Sequence, residues 1–237
     1  MNILPSITTT SMTPFFSDWR AKIKKAQELG LKELGFFLTC LEEKERKEAY
    51  DLFIKAGIKN IPFVHLRTDM DFEEIGYLLK TFNTQIFNIH SIFEYSPHLH
   101  DYSKSGYKDR IFIENIFHPI DEEEIRKYGG ICLDFAHLEN DRLLEDKKFT
   151  HNVEIIERNK IGCNHISAVT DKTRTDSRGN TRYDRHFLKN FSELDYLKKY
   201  PLSYFSDFMA IETENSLEVQ LEMIDYIKGL LKEKKHA

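Results

Sequence analysis

Short β-branched or aromatic runs alternate along this chain with longer segments whose apolar residues recur three and four positions apart, the pattern of parallel βαβ units. Ile3 to Thr8 is the first such run. The helix predicted after it, Ser17 to Leu29, carries Trp19, Ile23, Ala26 and Leu29 on one stripe and stops at Gly30, where a left-handed residue costs little. Leu34 to Thr39 is the second strand. A helix over Glu42 to Ala56 follows, with Ala49, Leu52, Phe53 and Ala56 as its apolar face and Gly57 as its stop. Ile61 to His65 is the third strand, and Phe72, Ile75, Leu78, Leu79 and Phe82 form the stripe of the third helix.

Strand four is Gln85 to His90, but the interval before strand five, Ile111 to Asn115, is short and rich in Ser, Tyr and His, so the fourth helix is expected to be degraded or missing. Asp121 with Glu124 resembles a capping pair for a short helix ending at Gly129-Gly130. Strand six is Ile131 to Asp134. A helix near Asn152 to Lys160 precedes strand seven, Cys163 to Ala168, and a helix near Phe187 to Lys199 ends before Pro201. Strand eight, Asp207 to Glu212, leads to a final helix capped by Asn215 or Ser216, with Leu217, Leu221, Ile224, Ile227 and Leu231 inward. Eight strands at about thirty residues per unit predict an α/β protein, a compact (β/α)8 TIM barrel filling residues 1–237 as one domain. An open doubly wound sheet is the alternative, but no Gly-rich dinucleotide turn follows the first strand.

Composition adds limits rather than detail. With 34 Lys and Arg against 39 Asp and Glu, the net charge of −5 gives no global attraction to a polyanion or an anionic membrane. Cys40, Cys132 and Cys163 lack metal-knuckle spacing and keep apolar company, which predicts reduced thiols and a cytoplasmic location. No uncharged apolar stretch approaches the ~20 residues of a membrane span. Lys232 to Lys235 read as a solvated tail.

In a barrel the active site lies at the C-terminal ends of the strands. There the predicted strands deliver His65, His90, Glu114, Asp134, His165 and Glu212 in succession. Carboxylates converging unpaired in a low-dielectric basin would repel one another and protonate, and a divalent cation keeps them ionised together. His137 follows Asp134 into the next loop, and Asp184-Arg185-His186 ends the long polar loop Thr170 to Arg185 with an Asp-x-His chelating pair. Nine N and O donors exceed what one ion accepts, so the set fits a multinuclear centre bridged by Glu114 or another carboxylate. Zinc, up to three ions, or manganese suits such mixed donors. Lys172, Arg174, Arg178, Arg182 and Arg185 crowd into the same loop; Arg67, Arg174, Arg182 and Arg185 are candidate substrate-binding residues. His98-Leu99-His100 has no carboxylate nearby and reads as loop surface, as do His118, His151 and His236.

The segments Ile113-Glu114-Asn115, Ile131 to His137, His165-Ile166, Asp184-Arg185-His186 and Ile211 to Asn215, with His65 and His90, make the chain resemble the xylose-isomerase-like barrel superfamily. Within it the likeness is to the endonuclease IV type of apurinic/apyrimidinic (AP) endonuclease, family 2. The resemblance spans most of the chain. It implies that His65, His90 and Glu114 hold one zinc, that Glu114 bridges to a second held by Asp134, His165 and Glu212, and that His137, Asp184 and His186 hold a third. It further implies phosphodiester hydrolysis at abasic sites in DNA, a DNA-repair activity in which Glu114 and Glu212 are catalytic. The chain departs from that type in its shorter length and trimmed loops, and Leu66-Arg67-Thr68 carries no aromatic wedge for opening a duplex. Phe93 and Tyr95 are the aromatic residues after His90.

Two other functions are consistent with the same residues. The superfamily's sugar isomerases and epimerases are similar in using one manganese or other divalent ion. In that reading Glu114, Asp134, His165 and Glu212 bind the ion, Glu114 and Glu212 exchange a proton on a sugar substrate, and His137 contacts it. A non-catalytic barrel that binds a metabolite would take up no stoichiometric metal.

Overall fold

The computed structural model describes residues 1–9, 18–94, 98–176 and 179–236. β1 (Asn2–Leu4) and β2 (Ser6–Thr8) are one strand interrupted at Pro5, which has no N–H to give to a ladder. β2 pairs with β3 (Glu33–Phe37), and the parallel sheet continues through β4 (Asn60–His65), β5 (Ile86–His90), β6 (Ile111–Glu114), β7 (Gly130–Asp134) and β8 (Ile161–Ile166). β9 (Ala168–Thr175) and β10 (Thr181–Arg185) form a separate antiparallel hairpin. β11 (Phe208–Ile211) pairs with both β8 and β1. Taking β1 and β2 as one, the eight strands close into the predicted barrel.

The seam at Pro5 is held by side chains. Gln220 accepts from Ser6 N–H at 2.7 Å and donates to the carbonyls of Ser6, Thr213 and Asn215 at 3.1–3.2 Å, while Ser6 Oγ donates to Ile211 O. Gln220 lies on the last helix, Leu217–His236, so the two ends of the chain lock each other.

The outer helices start where caps allow. α1 (Trp19–Glu28) is capped by Asp18, whose carboxylate accepts from Arg20 and Ala21 N–H, and it buries Trp19, Ile23 and Ala26. The predicted start, Ser17, lies outside the described residues. α2 (Glu43–Lys55) opens with a Glu42/Glu45 capping box, and α3 (Phe72–Phe82) with Asp71 accepting from Glu74 N–H. Between β5 and β6 the described residues form only two single-turn 3-10 segments, Tyr102–Lys104 and Lys108–Arg110, so the fourth helix is missing as expected. α4 (Glu122–Ile125) is the short helix after β6.

Several expectations change. α5 (Phe135–Leu144) begins directly at the end of β7, where only loop was expected, and α6 (Asp146–Arg158) starts earlier than Asn152. α5 escapes periodicity because Phe135 to Asp141 are all buried, polar and apolar alike, leaving no stripe. The loop Thr170 to Arg185 is largely the β9–β10 hairpin, and Ala168 belongs to it rather than to strand seven. The helix predicted over Phe187 to Lys199 is a 3-10 helix over Phe191–Lys199, and α7 (Leu217–His236) continues through the predicted tail.

Two packed layers result. One joins the barrel to its helices; the other, Leu4, Phe37, Phe63, Ile86, Phe112, Cys132, Cys163 and Ala210, fills the barrel. Strand alternation then fixes the next layer up: two residues beyond Phe63, Phe112, Cys132, Cys163 and Ala210 come His65, Glu114, Asp134, His165 and Glu212. Gly162 leaves room for that filling, since a Cβ there would lie 1.9 Å from the Phe112 ring. α5 is stapled in place by Glu139, which accepts from Arg142, Lys199 and Tyr200, and by Asp141, which accepts from Lys148 and Asn152.

Candidate metal centre

His65, His90, Glu114 and Asp134 are the last residues of β4, β5, β6 and β7; His165 is one short of the end of β8, and Glu212 is one past β11. All six face one basin. His137 joins from the first turn of α5, whose N-cap is Asp134: Asp134 Oδ1 accepts from His137 N–H at 2.7 Å, leaving Oδ2 for the basin.

Two donor groups converge so that their atoms lie within 4.8 Å of one another: His65, His90 and Glu114, and Glu114, Asp134, His165 and Glu212. Glu114 belongs to both, and its two oxygens divide between them. Oε2 lies 3.2 Å from His65 Nε2 and 3.8 Å from His90 Nε2; Oε1 lies 3.5 Å from His165 Nδ1 and 3.9 Å from His137 Nε2. Asn88 donates to Oε2 at 2.6 Å and so orients the carboxylate. Cys132 Sγ forms a further group with Glu114 and His165.

Several of these atoms are buried without a hydrogen-bond partner among the described residues: Asp134 Oδ2, both ring nitrogens of His165, His186 Nδ1 and Glu212 Oε2. His165 Nδ1 and Glu212 Oε2 approach to 3.0 Å, yet neither makes a well-directed bond to the other. An unpaired buried polar group costs about 1–3 kcal/mol, so the cluster would penalise folding unless a cation satisfied it. The donor set fits a divalent metal at both groups.

The buried charges of the basin perturb one another strongly. Burial opposes ionisation of Glu114, but His165 and His65 outweigh it and hold its carboxyl well below the usual range. Burial, reinforced by Glu212 and Glu114, pushes Asp134 up. Burial and the neighbouring His65 push His90 down to about 3, which leaves its imidazole neutral. Burial opposes protonation of His165, yet Cys132, Glu114 and Glu212 together raise it well above its ordinary value.

The third predicted set behaves differently, and among the described residues His137, Asp184 and His186 form no converging group. Asp184 Oδ2 lies 3.0 Å from His137 Nδ1, but both Asp184 oxygens are taken by Arg182, at 2.6 and 2.7 Å. His186 instead faces Glu212 Oε1, at 3.8 Å.

The predicted substrate arginines are also engaged. Arg67 donates to Asp69, Thr39 O and Glu42, Arg174 donates to Asp184 O, and Arg185 pairs with Glu193. Arg182 is buried. Lys172 is exposed, Arg178 and Tyr95 lie outside the described residues, and Phe93 stands exposed after β5. Sequence reasoning missed Asn88 and the proximity of Cys132, although each lies two residues before a predicted ligand on the same strand and so shares its inward face.

No protein-family model matches the chain, and a search of the curated proteins finds no match. Among solved structures, a xylose isomerase domain protein from Planctomyces limnophilus is 9% identical, with 99% of this chain and 98% of that one covered, at a TM-score of 0.51. A xylose isomerase-like TIM barrel protein from Mycobacterium smegmatis, in complex with magnesium, is 14% identical over 98% and 97%, at a TM-score of 0.44. An AP endonuclease, family 2, from Brucella melitensis is 10% identical over 94% and 97%, at 0.42. At such identities the likeness is one of fold. The chain folds as a TIM barrel with a buried carboxylate and imidazole cluster on its C-terminal rim. Among the described residues no helix is long and apolar enough to cross a membrane.

Proposed function

We propose that the chain is a zinc-dependent phosphodiester hydrolase of the endonuclease IV type, acting at abasic sites in DNA. The observation that supports this is the division of Glu114 between two donor groups, Oε2 toward His65 and His90 and Oε1 toward His165. A bridging carboxylate needs both oxygens turned outward to opposite partners, and a one-ion enzyme has no use for the His65–His90 side. When bound, divalent ions at these groups would polarise phosphoryl oxygens and acidify a water for attack. The chain's own contribution is to hold that geometry: Asn88 orients Glu114, the α5 N-terminus fixes Asp134, and the Phe37 ring packs on His165 at 4.7 Å. Glu212, flanked by His165 and His186, is a second catalytic carboxylate. The same reading places the protein in the cytoplasm, in keeping with three free cysteines.

Elemental analysis and cleavage of an oligonucleotide carrying one abasic site test this reading. Zinc at more than one equivalent per chain with strand cleavage supports it, and Glu114→Gln should abolish both. One specific observation favours the alternative, a sugar isomerase or epimerase: Glu114, Asp134, His165 and Glu212 form a complete four-donor site by themselves. A single manganese per chain and no cleavage would decide for it.

A further inference from the structure

We propose that the guanidinium of Arg182 permanently fills the position of the third metal ion, so that the centre is complete with ions at the two groups sharing Glu114. This rests on the metal-centre reading above. Arg182 is 4% exposed. Its Nε donates to Asp184 Oδ1 at 2.6 Å and its Nη2 to Asp184 Oδ2 at 2.7 Å, and the same Nη2 lies 2.7 Å from His137 Nδ1. A planar cation thus sits on two of the three donors that a third ion would need, in the bidentate geometry that makes arginine–carboxylate pairs strong. The Phe117 ring covers it, 4.8 Å from the guanidinium carbon.

The arrangement follows from local sequence. Arg182 and Asp184 are two apart on β10 and so share one face of the strand, here the buried one. The third donor has gone elsewhere, since the His186 ring is 6.5 Å from that of His137 and its Nδ1 faces Glu212. His186 is therefore free to supplement the Glu212 side of the second group. Unlike a metal ion, the guanidinium cannot be chelated, and it keeps its charge at every working pH. Arg182 consequently leaves the set of substrate-binding candidates and becomes part of the frame.

The test is metal stoichiometry under excess zinc, read by elemental analysis after gel filtration, together with the Arg182 Nε–H resonance in a zinc titration. The wild type should hold about two ions per chain, Arg182→Ala about three, and the protected Nε–H signal should survive metal loading. About three ions in the wild type, or loss of the Nε–H signal as zinc is added, would overturn the proposal while leaving the metal centre intact. So would a folded Arg182→Ala that stays at two. No zinc in the wild type would overturn the metal-centre reading and this inference with it. If Arg182→Ala does not fold, the wild-type count and the resonance still decide.

Discussion

Lys22 is a buried amine without a hydrogen bond among the described residues. It lies on α1 at 8% exposure. Burial pushes its pKa down from 10.5 to about 8, against the pull of Glu214. The unfolded chain therefore binds this proton more tightly than the folded one between those two values. Stability rises with pH across that window, and the penalty is full below pH 8. The drop corresponds to roughly 3 kcal/mol at neutral pH. Lys22→Met keeps the stem and removes the amine, so it should stabilise the protein at pH 7 by about 1–3 kcal/mol, less whatever Glu214 loses. The gain should shrink toward zero near pH 10.5. Urea unfolding followed through Trp19, the sole tryptophan and a member of the same helix, measures both limbs. A destabilised variant at pH 7, or a gain equal at pH 7 and pH 10, would refute the reasoning.

Other perturbations test the frame and the centre. Gly162→Ala drives a methyl into the Phe112 ring and should cost about 3 kcal/mol; a chevron-neutral variant would mean the barrel interior yields more than its packing implies. Gln220→Leu strands Ser6 N–H and removes the donor to three carbonyls, so a loss on the order of 2–3 kcal/mol is expected by urea titration. Chelation should lower Tm, by the equivalent of about 4 kcal/mol if zinc had stood a thousandfold above its Kd, and a Tm unmoved by chelator would argue against the centre. Asp69, held below its usual range by Arg67 and Arg46 against the effect of burial, contributes stability that is present above pH 4 and lost as pH falls through its folded value. Asp69→Asn should accordingly narrow the difference in urea midpoint between pH 7 and pH 3.

The barrel and its rim were legible because both rest on short-range periodicity. Period-two strands ending in His65, His90, Glu114 and Asp134 put chemistry one step beyond an apolar filling, and the residue alternation needs no tertiary information. α5 was not legible, because a helix buried on every face has no amphipathic signature, and its cap, Asp134, was read only as a ligand. The hairpin was hidden by charge, since Ala168 to Arg185 is mostly polar and shows no alternating apolar face. The pairing of Arg182 with Asp184 was hidden for a related reason. Composition sees a basic loop awaiting phosphate, whereas the fold shows that Arg182 and Asp184 neutralise each other across one strand face.

The seam at Pro5 sets an order of assembly. The donors His65, His90 and Glu114 come from neighbouring strands in the first half of the chain, but Glu212 reaches the basin only when β11 has inserted between β8 and β1. The four-donor group that includes Glu212 is therefore assembled only once the C-terminal helix has emerged and Gln220 has grasped Ser6. Cylinder closure and completion of the donor set are in that sense a single event, since Glu212 arrives with the strand that joins the two ends of the polypeptide.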